Sequence, residues 1–300
     1  MPTFPVAPDV YGIALDDDET TAAYLIDDEE PTLVETGTAQ GASRIRSTLT
    51  TLGVPPETLR HAVIGHYHLD HAGGARALLE EAPELTCYAH GSMTAWLTEG
   101  EQFDRLVEST ASALPDQFEG MGAPDGPLPT SRLRSVGDDG TSLDVGSRTV
   151  ELVHTPGHSP DHLSAFVPSD GIAFANEAIG RLFPRTDTFL PPATVPSFDL
   201  EATARSIDRL ADLDPDLVAL SHFGVHDEPA ALFDRARRAL SRFRDRVPAL
   251  HEAHGEDLEA TVDAVRRELL DGLEAGYPRR FVDTQADVCT RGFLAATDRR

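Results

Sequence analysis

Four metal-competent side chains, His66, His68, Asp70 and His71, fall within six residues directly behind the apolar run Ala62, Val63 and Ile64. In extended backbone alternate side chains share a face, so His66 and His68 can be turned toward one ion. Adjacent Asp70 and His71 must diverge and can reach a second. As a merely exposed polar cluster the motif is a poor arrangement: three crowded histidines repel once protonated, and a metal that binds the neutral imidazoles removes that cost. The motif therefore demands a fold that brings further ligands to the end of one strand, and its spacing suggests two metals.

The chain around it alternates strand and helix signals. Short strands are predicted at residues 11–15, 22–26 and 32–35, separated by acidic turns, and Gly37 breaks the pattern. Ile45, Leu49 and Leu52 have helical spacing, stopped by Gly53, Pro55 and Pro56 before the strand that delivers the histidines. A helix follows over 75–79 and a strand over 85–89. Residues 97–135 have helical stretches but little strand character, and glycines and prolines fill their second half. We read them as an insertion able to lie over the site as a lid.

Strand signals return at 142–145 and 148–153, and the second runs into His154, Thr155, Pro156, Gly157, His158 and, further on, His162. A strand pair brackets the turn at Pro168 to Gly171. An amphipathic helix carries Ala204, Ile207, Leu210 and Leu213, with Ser197 or Asp199 available as its cap. The buried-strand run 217–220 ends at Ser221 and His222. Beyond it two helical faces are legible, one with Leu232, Ala236, Leu240, Phe243, Val247 and Leu250, the next with Leu258, Val262, Val265, Leu269 and Leu273. The expected organisation is a domain over 1–227 and a C-terminal helical region over 228–300.

Composition narrows the partners. The formal charge is -26, and every one of the 25 basic residues is arginine. A lysine-free acidic surface resembles proteins of salt-loving archaea, and it argues against a nucleic-acid partner, because counterion release needs clustered cations. The arginines between Arg235 and Arg246 are expected in ion pairs, with an anionic-substrate role as the minority reading. Cys87 and Cys289 are far apart and fit neither a metal knuckle nor a secreted framework. The N-terminus lacks a signal-peptide pattern and no segment reaches membrane-span length, so a soluble cytoplasmic protein acting on a small molecule is expected, with a homodimer left open.

Each candidate ligand follows a predicted strand: His66, His68, Asp70 and His71 after 62–64, His158 after 151–153, Glu177 after 172–175, and His222 after 217–220. HxHxDH, then TPGH, then an acidic residue behind a strand, then a late SH resembles the metallo-β-lactamase superfamily over roughly residues 10–225. The resemblance implies an α+β fold, an αββα sandwich with the site at the edge of two sheets, here with a C-terminal helical extension. It implies that His66, His68 and His158 bind a first metal, that Asp70, His71 and His222 bind a second, and that the acidic residue bridges. Relatives usually have Asp there, whereas this chain offers Glu177, which leaves one ion or two as the open question. Glu35 likewise replaces a usual Asp that orients ligands.

Zinc is the default for such ligands, with Fe or Mn admissible. Two divalent ions, Asp70, Glu177 and one hydroxide leave a formal site charge of about +1, suited to a carbonyl substrate that acquires an oxyanion. The expected activity is hydrolysis of a small thioester, ester or lactone, close to hydroxyacylglutathione hydrolases, with Asp70 orienting the nucleophile and shuttling its proton. Two alternatives stay open, a mono-iron persulfide dioxygenase and a phosphodiesterase or nuclease. His154, His162 and His226 are either supporting groups of the site or structural, His61, His90, His251 and His254 read as ordinary residues, and Tyr67 is available to line the cleft.

Overall fold

A computed structural model describes residues 3–298. The chain opens on four antiparallel strands, β1 (Thr3–Ala7), β2 (Val10–Ala14), β3 (Ala22–Ile26) and β4 (Thr32–Val34). β1 has no counterpart among the strands expected from the sequence. It sits at the sheet edge, where Pro5 costs no ladder hydrogen bond, and a proline obscures a strand pattern. From β4 onward crossovers make the sheet parallel. α1 (Gly41–Leu52), ended by Gly53 at φ +83, leads to β5 (His61–Val63). The short helices α2 (Leu69–Ala72) and α3 (Ala75–Glu81) lead to β6 (Thr86–His90).

Helices α4 (Thr94–Thr98), α5 (Gly100–Ala113) and α6 (Pro115–Met121) occupy most of the stretch expected as an insertion. Its end differs from the expectation, because Leu133, Arg134 and Ser135 belong to β7 (Leu133–Val136), which pairs parallel with β6. Only two of its four residues are buried, so the apolar alternation is too short to register. The seven strands lie in sequence order across the sheet.

The second sheet begins with β8 (Thr141–Asp144), β9 (Thr149–His154), β10 (Leu163–Val167) and β11 (Ile172–Asn176), successive antiparallel neighbours. A small hairpin of β12 (Arg181–Phe183) and β13 (Thr188–Leu190) precedes α7 (Leu200–Ala211), whose cap is Asp199, its carboxylate accepting from the Ala202 N–H at 2.8 Å. β14 (Leu217–Leu220) then runs parallel to β11, and β15 (Gly224–His226) closes that edge. The helices α8 (Pro229–Ala253), α9 (Leu258–Leu269) and α10 (Arg279–Asp298) complete the chain. Apolar spacing singles out the first two. The inward face of α10, Val282, Ala286, Cys289 and Phe293, mixes sizes and types too much to stand out.

Three cores stack these layers. Tyr24, Val34 and Val63 of the first sheet meet Leu152, Ala165 and Phe174 of the second. The outer face of the first sheet, with Leu25 and Ala62, is covered by Ile45, Leu49 and Leu78. The outer face of the second, with Val218 and Leu220, is covered by Ile207 of α7 and by Phe243, Val265 and Phe293 of α8 to α10. The result is the αββα sandwich, in which each fully buried large side chain contributes about 1.5–3 kcal/mol. The helices beyond residue 227 form part of its outer layer. Away from the C-terminal ends of β4 and β5, Arg148 clasps the sheets together through Asp28 at 3.1 Å and Asp170 at 2.7 Å.

Candidate metal centre

β5 and its parallel neighbours end at one edge of the sandwich, and the chain leaving β5 passes through Gly65. A side chain there would lie 2.2 Å from Glu35 Oε1, so only glycine allows the close approach that brings His66 beside the β4 terminus. His66 and His68 follow in irregular backbone, and the single turn of α2 then carries Asp70 and His71. From the other sheet, the loop after β9 delivers His158, the end of β11 delivers Glu177, and the end of β14 delivers His222.

All seven of these side chains converge. His66 Nε2 lies 2.9 Å from His68 Nδ1, and His158 Nε2 lies 3.1 Å from both. Beside this triangle, His71 Nε2 and His222 Nε2 are 3.2 Å apart, with Asp70 Oδ2 at 3.5 and 3.6 Å from them. Glu177 Oε2 stands between the two groups, 3.3 Å from His158 Nε2, 3.4 Å from His71 Nε2, 3.5 Å from His222 Nε2 and 3.9 Å from His66 Nε2. Ligands about 2.0–2.1 Å from a tetrahedral ion are separated by roughly 3.3 Å. Both triangles have these dimensions.

The donor set fits cations for a second reason. His158 Nδ1 donates to the Pro192 carbonyl at 2.9 Å, and His222 Nδ1 donates to the Thr20 carbonyl at 2.7 Å. These bonds leave both Nε2 atoms bare, aimed at other imidazole nitrogens, an arrangement that a shared cation relieves. Burial holds His66 and His158 below the usual histidine range and His68 down to about 3, so all three stay neutral. Burial also opposes the charge on Asp70 and Glu177, but the surrounding histidines prevail and keep both carboxylates ionised. His71 moves the opposite way: burial lowers it, yet Glu35 and Asp70 together hold it well above the usual value.

Several residues support this constellation. Glu35, at φ +73 past β4, places Oε1 3.1 Å from His71 Nδ1, outside hydrogen-bonding direction, and accepts from the Gly65 N–H. His162, one of the histidines left open by sequence, is fully buried and accepts the Glu177 N–H at 3.2 Å while its other nitrogen meets Thr155 Oγ1 at 2.9 Å. Asp161 accepts from the Tyr67 N–H at 2.9 Å and the Ser159 hydroxyl at 2.7 Å, tying the two histidine loops together, and burial raises its carboxyl to about 6.

Arg181 is not among the residues that the sequence pattern singles out, yet it sits in the site. Its Nε is 3.4 Å from Glu177 Oε1 and its guanidinium donates to Gln285 Oε1 at 2.6 Å. An arginine inside the apolar run 178–183 is a signal for a buried partner, but its partners lie in distant sequence.

Other histidines are not part of this constellation. His90 and His154 stack on each other with ring centroids 3.9 Å apart and planes 7° apart, beside exposed Asp138. Parallel imidazoles cannot both aim in-plane lone pairs at one ion, and His154 Nε2 is already committed to the Pro160 carbonyl at 2.9 Å. His226 lies on the edge strand β15.

Both triangles open into a cavity of about 1160 Å³. Its floor is His68, Asp70, His158, Glu177 and His222. Its walls are lined by α4 to α6 and by α10, and the exposed β2–β3 turn with Asp16, Asp17 and Asp18 borders it. Tyr67 lines it, as its place beside the histidines suggested.

A family model described as the metallo-beta-lactamase superfamily matches residues 16–222. The chain belongs to that superfamily of metallohydrolases. A metallo-beta-lactamase fold-containing protein of Sulfurisphaera tokodaii is 26% identical over 186 residues, 62% of this chain and 68% of that one. A hydroxyacylglutathione hydrolase of Haemophilus influenzae is 31% identical over 138 residues, 43% of this chain and 57% of that one. Among solved structures, a metallo-beta-lactamase family protein of Thermus thermophilus superposes with a TM-score of 0.63 at 21% identity, covering 95% of this chain and 93% of that one. No helix among the described residues is long and apolar enough to cross a membrane.

Proposed function

We propose that the chain is a dinuclear metal-dependent hydrolase acting at the carbonyl carbon of a small thioester, ester or lactone. The observation that carries this reading is the position of Glu177 Oε2 within 3.3–3.5 Å of His158 in one triangle and of His71 and His222 in the other. His66, His68 and His158 would hold one ion, Asp70, His71 and His222 the other, with Glu177 shared, and zinc suits this mixed nitrogen and oxygen set, with Fe or Mn as alternatives. Two such ions supply Lewis acidity for a carbonyl oxygen and bring the pKa of water to about 7.

The chain's own groups do the rest. Asp70, ionised and at the cavity floor, orients the attacking water, accepts its proton and returns it to the leaving group. Arg181 holds Glu177 Oε1, so that Oε2 stays between the two triangles. The Pro192 and Thr20 carbonyls fix the tautomers of His158 and His222. The similarity to a hydroxyacylglutathione hydrolase supports the thioester arm of this reading.

Metal analysis coupled to a panel of thioesters, esters, lactones, a phosphodiester and a persulfide tests the proposal. We expect about two ions per chain and turnover of carbonyl substrates only. His68→Ala should retain the fold by circular dichroism while losing an ion and roughly a thousandfold or more in turnover. One iron per chain with oxygen consumption on the persulfide would replace this reading with the mononuclear dioxygenase.

A further inference from the structure

The floor of candidate metal ligands accounts for only part of the cavity. Beside it the Tyr67 ring packs at a tilt against His68, ring centroids 4.7 Å apart, and against Trp96 of α4, 6.0 Å apart. The same cavity is lined by Leu106, Leu114 and Met121 of the α4–α6 region, which form an apolar wall, and by Phe281 and Val288 of α10. Val195, at the same cavity, is 44% exposed and is the one large hydrophobic residue left exposed among those described. In a chain of formal charge -26 an apolar surface of this kind beside a reactive centre marks a ligand rather than solvent.

Charge defines what the ligand lacks. Of the cations near the mouth, Arg44 is paired with Asp17 at 2.7 Å and Arg185 with Asp18 at 2.9 Å, while Arg181 is buried and committed to Glu177 and Gln285. The same pairs match Asp17 and Asp18, so Asp16, whose carboxylate accepts from Thr20 and Thr21, leaves the rim with one unmatched negative charge. A leaving group bearing several carboxylates or phosphates gains no attraction there, because it finds no free cation among the described residues of the rim. Resting on the hydrolase reading above, we propose that the α4–α6 wall is a subsite for an uncharged, unbranched acyl chain of medium length, whose carbonyl is thereby delivered to the floor beside His68. The preferred substrates are acyl esters or thioesters with neutral leaving groups, not glutathione thioesters.

Burying a methylene is worth about a fourfold gain in binding when the subsite takes it fully. With the metal-loaded full-length chain, kcat/KM for 4-nitrophenyl esters should rise about two- to fourfold per carbon from acetate toward octanoate. Trp96→Ala should flatten that rise by lowering the octanoate value more than the acetate value. A dependence on acyl length that stays within twofold, or faster turnover of lactoylglutathione than of the octanoyl ester, overturns the proposal. Binding tests the subsite without turnover. Trp96 is the chain's single tryptophan, so octanoate should change the intrinsic fluorescence of the unmodified protein at concentrations where acetate does not. Equal responses to both acids overturn the subsite even if esters are hydrolysed. An octanoate-specific response without hydrolysis of any carbonyl substrate supports the subsite and removes the hydrolase reading instead.

Discussion

Glu177 is one methylene longer than the aspartate usual among relatives, and its neighbours accommodate the difference. Asn176 ends β11 at φ +52, a left-handed conformation that asparagine tolerates better than most residues, and its amide donates to the Leu163 carbonyl at 2.9 Å. That turn aims Glu177 into the site, and Arg181 Nε stands 3.4 Å from its other oxygen, an ion pair outside hydrogen-bonding direction. Removing the guanidinium leaves a buried carboxylate half-satisfied and strands Gln285. Arg181→Met should therefore destabilise the fold by about 3 kcal/mol in thermal or denaturant unfolding and release metal to a chelator about 10–100 times more readily. Arg181→Lys should recover part of both. Metal retention unchanged in the methionine variant would assign Arg181 to packing alone. The candidate ligands were legible in sequence because each lies in the segment that leaves a strand; Arg181 was not, because its meaning depends on Gln285, 104 residues away.

At the level of elements, the loop between β9 and β10 must dock on α7 before His158 can reach its triangle. Gly157 adopts φ +144, and a Cβ there would lie 2.3 Å from Thr203 Oγ1 and 2.5 Å from its backbone nitrogen. The Gly157 carbonyl accepts from the Asp199 N–H at 2.7 Å, and the Pro156 carbonyl accepts from Ser206 Oγ at 2.7 Å. Gly157→Ala forces the loop off the helix. We expect a loss of about 3 kcal/mol in stability, with activity falling together with metal occupancy of the first triangle. Full activity with unchanged metal content would show that the loop relaxes without moving His158. The strands and helices that build this junction follow from apolar period. Its docking does not, since the loop meets the helix through its own backbone, against Asp199, Thr203 and Ser206 of a segment that pattern alone leaves unrelated.

For the whole molecule, the acidic surface sets the dependence on salt. Arginines form exposed pairs such as Arg237 with Asp208 at 2.8 Å, but the excess of carboxylates leaves net self-repulsion in the compact state. Screening shortens from about 10 Å at 0.1 M to about 3 Å at 1 M salt, so the Tm should rise by several degrees across that range of KCl. A flat or falling Tm would sink this account. The sequence by itself determined the order of most strands and helices and the set of candidate metal ligands, and the family resemblance carried by its motifs implied the αββα class. Apolar periodicity is local, and so is the crowding of His66, His68, Asp70 and His71 that only a cation makes comfortable. Tertiary structure alone decided which histidines converge and which lie apart, that Arg181 comes within 3.4 Å of Glu177, and that an apolar wall and a rim of paired charges share the cavity. Those outcomes depend on which side chains from α4, α7 and α10 are packed against the sheet edge, and packing over such separations in sequence is settled by the whole fold.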